Sequence, residues 1–172
     1  GSFGELSVKK SASALFYFAL GLPAFSFIKI FSTFLFARHN TKIPFYFSII
    51  SVIINIVISV YYFNKIGFII IPIATTISSW FNVILLLIYL TNKKYYYINF
   101  NFIKSLFKIS FSTIITSYIF YHLINYFSDN LSYNSEYKLL SIILLVIVTF
   151  IIYILISILT KAFKISDIKL KY

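Results

Sequence analysis

Residues 139–160 read LLSIILLVIVTFIIYILISILT, and from Ile142 to Ile158 only Thr149, Tyr153 and Ser157 interrupt the apolar run. A hydrocarbon core of about 30 Å takes roughly 20 such residues as helix. Buried strands are about half as long, and no turn signal divides the run. A bilayer-crossing helix is therefore expected, with most of its circumference facing lipid. Working outward, four further stretches have the same character: residues 109–127, 66–90, 45–63 and 14–37. The fold class expected is all-α and integral to a membrane, with five transmembrane helices. The segment 14–37 carries Lys29 and Pro23. Its thirteen Leu, Ile and Phe residues, at about −0.3 to −0.6 kcal/mol each, outweigh one Lys at about +2.5 to +3.5 kcal/mol. Pro23 marks a kink at which neighbouring helices satisfy the freed carbonyl, and Pro72 is expected to do the same in 66–90. None of the five stretches ends in the small-residue cleavage site of a signal peptide.

The whole chain agrees with its last long run. Of 172 residues 60% are hydrophobic and 11% charged, with 15 Lys+Arg against 4 Asp+Glu, and the mean hydropathy is +0.94. That excludes an ordinary soluble domain, which needs far more polar surface. The net charge of +11 would suggest nucleic acid in a soluble protein. Here the basic residues sit between or beside the apolar runs, so the charge records membrane topology and no nucleic-acid partner is expected. The chain has no Cys, which removes disulfides, thiolate metal sites and thiol nucleophiles. It also has no Met, and an opening at Gly1 reads as a portion of a longer or processed chain. No repeat or Gly/Ser linker divides it, so residues 1–172 are treated as one C-terminal transmembrane fragment.

Counting Lys and Arg in alternate loops gives an orientation. One side holds Arg38, Lys42, Lys93, Lys94, Lys104, Lys108, Lys161, Lys164, Lys169 and Lys171; the other holds Lys9, Lys10, Lys65 and Lys138. The excess places the C-terminus in the cytoplasm and Gly1 outside. Tyr95, Tyr96 and Tyr97 on one face and Tyr61 and Tyr62 on the other suit interfacial belts. Residues 98–105 are expected along the membrane surface.

Polar residues inside a span locate its protein-facing side. Ser48, Ser51, Asn55 and Ser59 recur at spacings of three and four along 45–63, and Thr75, Ser79 and Asn82 share a face of 66–90 beside the small residues Ala74 and Ser78. Lys29 lies about 12 Å deep from the basic end of its span. Either it snorkels, or it faces a polar cavity and pairs with an anionic substrate group. His122 takes a structural role near the outer end of 109–127, and His39 has no carboxylate neighbour in sequence. Glu5, Asp129, Glu136 and Asp167 all fall outside the spans. With no paired carboxylates and no nucleophile, phosphate-loop or metalloprotease motif, an enzyme is not expected.

The run Ala14-Leu15-Phe16-Tyr17-Phe18-Ala19-Leu20-Gly21-Leu22-Pro23-Ala24, then Ile28-Lys29-Ile30, then Ala37-Arg38-His39-Asn40-Thr41-Lys42-Ile43-Pro44, then Asn55, Gly67 and the polar face of 66–90, resembles the C-terminal part of the MurJ/MviN lipid II flippases of the MOP transporter superfamily. Gly1-Ser2-Phe3 looks like the Gly-x-Phe that precedes this helix in the family. Residues 109–127 and 139–160 match in hydropathy and spacing only. The resemblance implies the last three helices of the second lobe followed by the family's extra pair, the latter lining a groove for a polyprenyl tail. It also implies alternating access in a bacterial inner membrane, a lipid II substrate or a similar polyprenyl-pyrophosphate-linked one, membrane lipids around the chain, and an N-terminal lobe as partner. Lys29 and Arg38 are the substrate-binding residues it suggests. A sodium ion bound by some members would fall on Asn55 and Thr75, but Ser59 stands where an acidic ligand is expected, which argues against an ion; no other cofactor is implied. Two further readings are another MOP-type exporter of lipid-linked O-antigen or capsule sugars, and a small membrane scaffold without transport activity.

Overall fold

The computed structural model describes residues 4–97, 99–132 and 135–162, and among these it is all-helical, with no strand. Five α-helices follow in order: α1 (Glu5–Ala37), α2 (Lys42–Ile66), α3 (Ile70–Asn92), α4 (Phe100–Tyr126) and α5 (Lys138–Leu159), with a single 3₁₀ turn at Gly67–Ile69 between α2 and α3. The Gly-x-Phe at the start and the distal Lys164, Asp167, Lys169 and Lys171 lie outside the described residues. The chain forms two units, α1–α3 and α4–α5.

The helices begin earlier than the apolar runs do. α1 starts nine residues before Ala14 and α4 nine before Ile109. Hydropathy marks the part of a helix that meets hydrocarbon, whereas the ladder continues until a cap stops it. At α4 that cap is Asn99, whose side chain accepts from the Asn101 backbone N–H. Residues 100–105 are thus the first turns of one continuous helix. Pro72 does not kink α3, because α3 begins at Ile70 and the missing N–H falls among those unpaired in any first turn. Pro44 sits likewise at the start of α2.

Three stretches are long and apolar enough to cross a membrane: Leu6–Ala37, Lys42–Asn92 and Lys138–Leu159. The second contains both α2 and α3. Its 51 residues would span about 77 Å as one rod, more than twice the hydrocarbon thickness, and Gly67 breaks it into two. α4 is not among the three, so the expectation of five crossings is not matched on this criterion. The reason is its content of Ser110, Ser112, Thr113, Thr116, Ser117, His122 and Asn125.

In the first unit α3 is central, packed along both α1 and α2, while those two barely meet. α1 and α3 approach closely at Gly21, where an added Cβ would lie 3.0 Å from Thr76 Oγ1. Thr76 donates to the carbonyl of Tyr17 at 2.7 Å and the Trp80 indole N–H to that of Leu20 at 3.1 Å. The acceptors are the Tyr17 and Leu20 carbonyls, two residues before and one after Ala19, whose own carbonyl is the one that Pro23 leaves without its helical donor. At the basic end Leu35, Leu86 and Leu90 are fully or almost fully buried, with Ile28, Phe31, Ile43, Phe47, Tyr89 and Tyr96 around them. In the second unit Ser112 and Thr160 share a hydroxyl hydrogen bond of 2.9 Å, and Lys108 Nζ donates to the Lys161 carbonyl at 3.3 Å.

Candidate functional site

The polar stripes of α2 and α3 face each other. Asn55 Nδ2 donates to Thr75 Oγ1 at 3.0 Å and to Ser78 Oγ at 3.4 Å. Thr75 Oγ1 donates back along its helix to the Ile71 carbonyl at 2.8 Å, and Ser78 and Ser79 both donate to the Thr75 carbonyl, at 3.0 and 2.6 Å. Around this seam lies a cavity of about 290 Å³ lined by Ile28, Ser48, Ser51, Val52, Asn55, Thr75, Ser78, Ser79 and Asn82. Every polar group on its wall is a neutral hydroxyl or amide. Asn82 is 5% exposed, and its Oδ1 has no hydrogen-bond partner; neither has the buried Ser59 Oγ, one turn from Asn55. A cation here would meet neutral oxygens only, with no carboxylate to compensate its charge. The residues present fit a hydrogen-bonded helix seam and do not fit a charge-compensated ion site.

A larger, more open groove of about 570 Å³ lies between α1 and α2 at the basic end, lined by Ser32, Phe36, Thr41, Lys42, Pro44, Phe45 and Ser48. Ser48 also lines the inner cavity, so the two adjoin. Lys29 is exposed and lies one turn before Ser32 on the same flank of α1. Lys42, Thr41 and Phe45 were not singled out as site residues from the sequence. The signal that could have found them is the Pro44 N-terminal turn, which aims the first side chains of α2 back toward α1.

Arg38 lies elsewhere. Nine positions beyond Lys29, at about 100° per residue, put it on the opposite side of α1 and about 14 Å further along the axis. Its guanidinium carbon sits 4.3 Å from the ring centre of Tyr95 and 4.9 Å from that of Phe34. The structure thus brings Asn55 and Thr75 together and keeps Lys29 and Arg38 apart. His122 packs edge-on against Tyr118 and Tyr121, with ring centres 4.7 and 5.8 Å away.

Residues 1–142 match the family model described as Lipid II flippase MurJ. The chain belongs to that family. The match runs through all of α4 and into α5, well beyond the α1–α3 motifs. The MurJ relatives include a "Probable lipid II flippase MurJ" of Rickettsia prowazekii (strain Madrid E), 34% identical over 93 residues, which is 54% of this chain and 18% of the relative. One of Borreliella burgdorferi is 36% identical over 78 residues (45% and 15%), and one of Rhizobium meliloti (strain 1021) is 35% identical over 86 residues (50% and 16%). The chain therefore spans less than a fifth of the length of these MurJ relatives. No solved structure matches it.

Proposed function

We propose that this chain supplies the C-terminal helices of a lipid II flippase, which carries the lipid-linked peptidoglycan precursor across the bacterial inner membrane by alternating access. The family match over residues 1–142 carries the reading. The activity requires the rest of the molecule, including a preceding lobe, as partner. It is transport, without bond making or breaking. The test is rescue of a strain depleted of its own lipid II flippase by the full-length protein. Restored growth and cell shape are expected; lysis at the rate of the unrescued strain overturns the proposal.

Within that function, Lys29 and Lys42 flank the groove between α1 and α2 and give its mouth a positive potential suited to an anionic head group. Lys29→Ala is expected to slow rescue without lowering the amount of protein in the membrane; wild-type growth removes Lys29 from the mechanism. Transport is proposed to be independent of sodium, on the ground that Asn55 and Thr75 are engaged with each other and Ser59 brings no charge. Flipping measured in potassium and in sodium buffers is expected to agree, and a requirement for sodium overturns this part. The Lys and Arg asymmetry supports a cytoplasmic C-terminus.

A further inference from the structure

Arg38 is the sole arginine among fourteen lysines, and among the described residues no acidic group compensates its charge. The terminal carbonyls it could have capped are already taken. Asn40 N–H bonds to Leu35 O at 3.0 Å and His39 N–H to Phe36 O at 2.9 Å at the end of α1, and Tyr95 N–H bonds to Leu90 O and Lys94 N–H to Thr91 O, each at 2.9 Å, at the end of α3. No hydrogen bond or ion pair to the guanidinium exists among the described residues. The one acidic residue of the first unit, Glu5, lies at the far end of α1, about 50 Å away along the helix. Phe34 and Tyr95 touch the guanidinium from two directions, their rings tilted 58° to each other with centres 6.4 Å apart, and Arg38 remains exposed. Lys93 and Lys94 occupy the turn that delivers Tyr95, so this corner carries three positive charges and, among the described residues, no negative one.

We propose that Arg38, held against Phe34 and Tyr95 and supported by Lys93 and Lys94, binds the phosphodiester of an anionic phospholipid at the membrane interface. A planar fork donates two parallel N–H bonds to two phosphate oxygens, which a lysine cannot reproduce. The two cation–π contacts restrict the side chain and lower the entropy lost on binding. The excess of positive charge selects a lipid with net negative charge over a zwitterion, whose own ammonium competes. The adjacent tyrosines Tyr96 and Tyr97 sit at the level where such head groups lie. The site is on the side of α1 opposite Lys29 and the groove, and it does not depend on which lipid-linked molecule is transported.

The test uses the full-length protein in detergent micelles, titrated with phosphatidylglycerol or phosphatidylcholine and read by native mass spectrometry. Wild type is expected to retain phosphatidylglycerol preferentially. Arg38→Gln should reduce that preference about fivefold. Arg38→Lys should lose part of it and Tyr95→Leu should weaken binding while keeping every charge. Melting in phosphatidylcholine alone checks that each variant is folded. An unchanged preference in Arg38→Gln, or equal retention of the two lipids by wild type, overturns the proposal. So does displacement of phosphatidylglycerol by a polyprenyl-pyrophosphate substrate at equimolar amounts, which would assign the corner to the transported molecule.

Discussion

Asn55 illustrates how much one side chain inside a lipid-facing bundle is worth. Its two interhelical hydrogen bonds join α2 to α3 across a seam otherwise made of small groups. Such bonds average about 0.6 kcal/mol in membranes and reach about 1.7, because the separated helices also find partners. Asn55→Leu should lower the unfolding free energy by an amount in that range, Thr75→Val should do nearly the same, and the double variant should cost less than their sum. Additive losses would mean that the two residues act separately. The stripe that bears Asn55 was legible in the sequence, since spacings of three and four fix a helix face whatever the tertiary structure. Of Arg38's two ring partners, Phe34 stands four residues away on the same helix and is implied by periodicity. Tyr95 is not, since it reaches Arg38 only because α3 ends where α1 ends, a consequence of packing. The free Oδ1 of Asn82 was equally hidden, for an unmet hydrogen bond is a property of the neighbours.

At the scale of the element, apolar length located the helices and backbone chemistry set their ends. α1, α3 and α5 each close with a pair of reversed hydrogen bonds around a residue in the left-handed region: His39 at φ 57°, Lys94 at φ 56° and Lys161 at φ 52°. Glycine is the usual occupant, so a reader of the sequence who looks for glycine finds no stop signal at any of the three. Here the basic side chains that hold the loops at the interface also take the strained position. Lys94→Gly should therefore stabilise the fold by about 1 kcal/mol of relieved strain and raise the melting midpoint, while Lys94→Val lowers it. Gly67 is the opposite case. Its φ of 73° and ψ of −156° belong to a region that is essentially glycine's own, and nothing lies within 4 Å of a Cβ placed there. Gly67→Ala should cost about 1 to 3 kcal/mol from backbone strain alone. An unchanged midpoint would show that the turn adopts another conformation. At Gly21 the problem is space, and Gly21→Leu should separate α1 from α3 and release the Thr76 bond.

At the scale of the molecule, these 172 residues carry no cysteine, so a thiol placed among them, in a background otherwise free of cysteine, reports the side on which it lies. Lys94→Cys should react with an impermeant maleimide only after the inner face is opened, and Asn130→Cys should react from outside on intact cells. The reverse pattern would invert the orientation drawn from Lys and Arg. The all-helical membrane architecture was legible because a bilayer admits few backbone solutions. The count of crossings was less so: α4 mixes hydroxyls, a histidine and an asparagine into its length, and hydropathy alone does not separate such a helix from a surface one. The short Gly67 turn, finally, bears on biogenesis. Because α2 and α3 are tied within a few residues, little chain entropy opposes their meeting, and the pair can leave the translocon as a preassembled hairpin with Asn55 already matched to Thr75 and Ser78. Lengthening that link would present the same polar stripes to lipid one helix at a time, and the yield of inserted protein would fall even where the finished fold is unchanged.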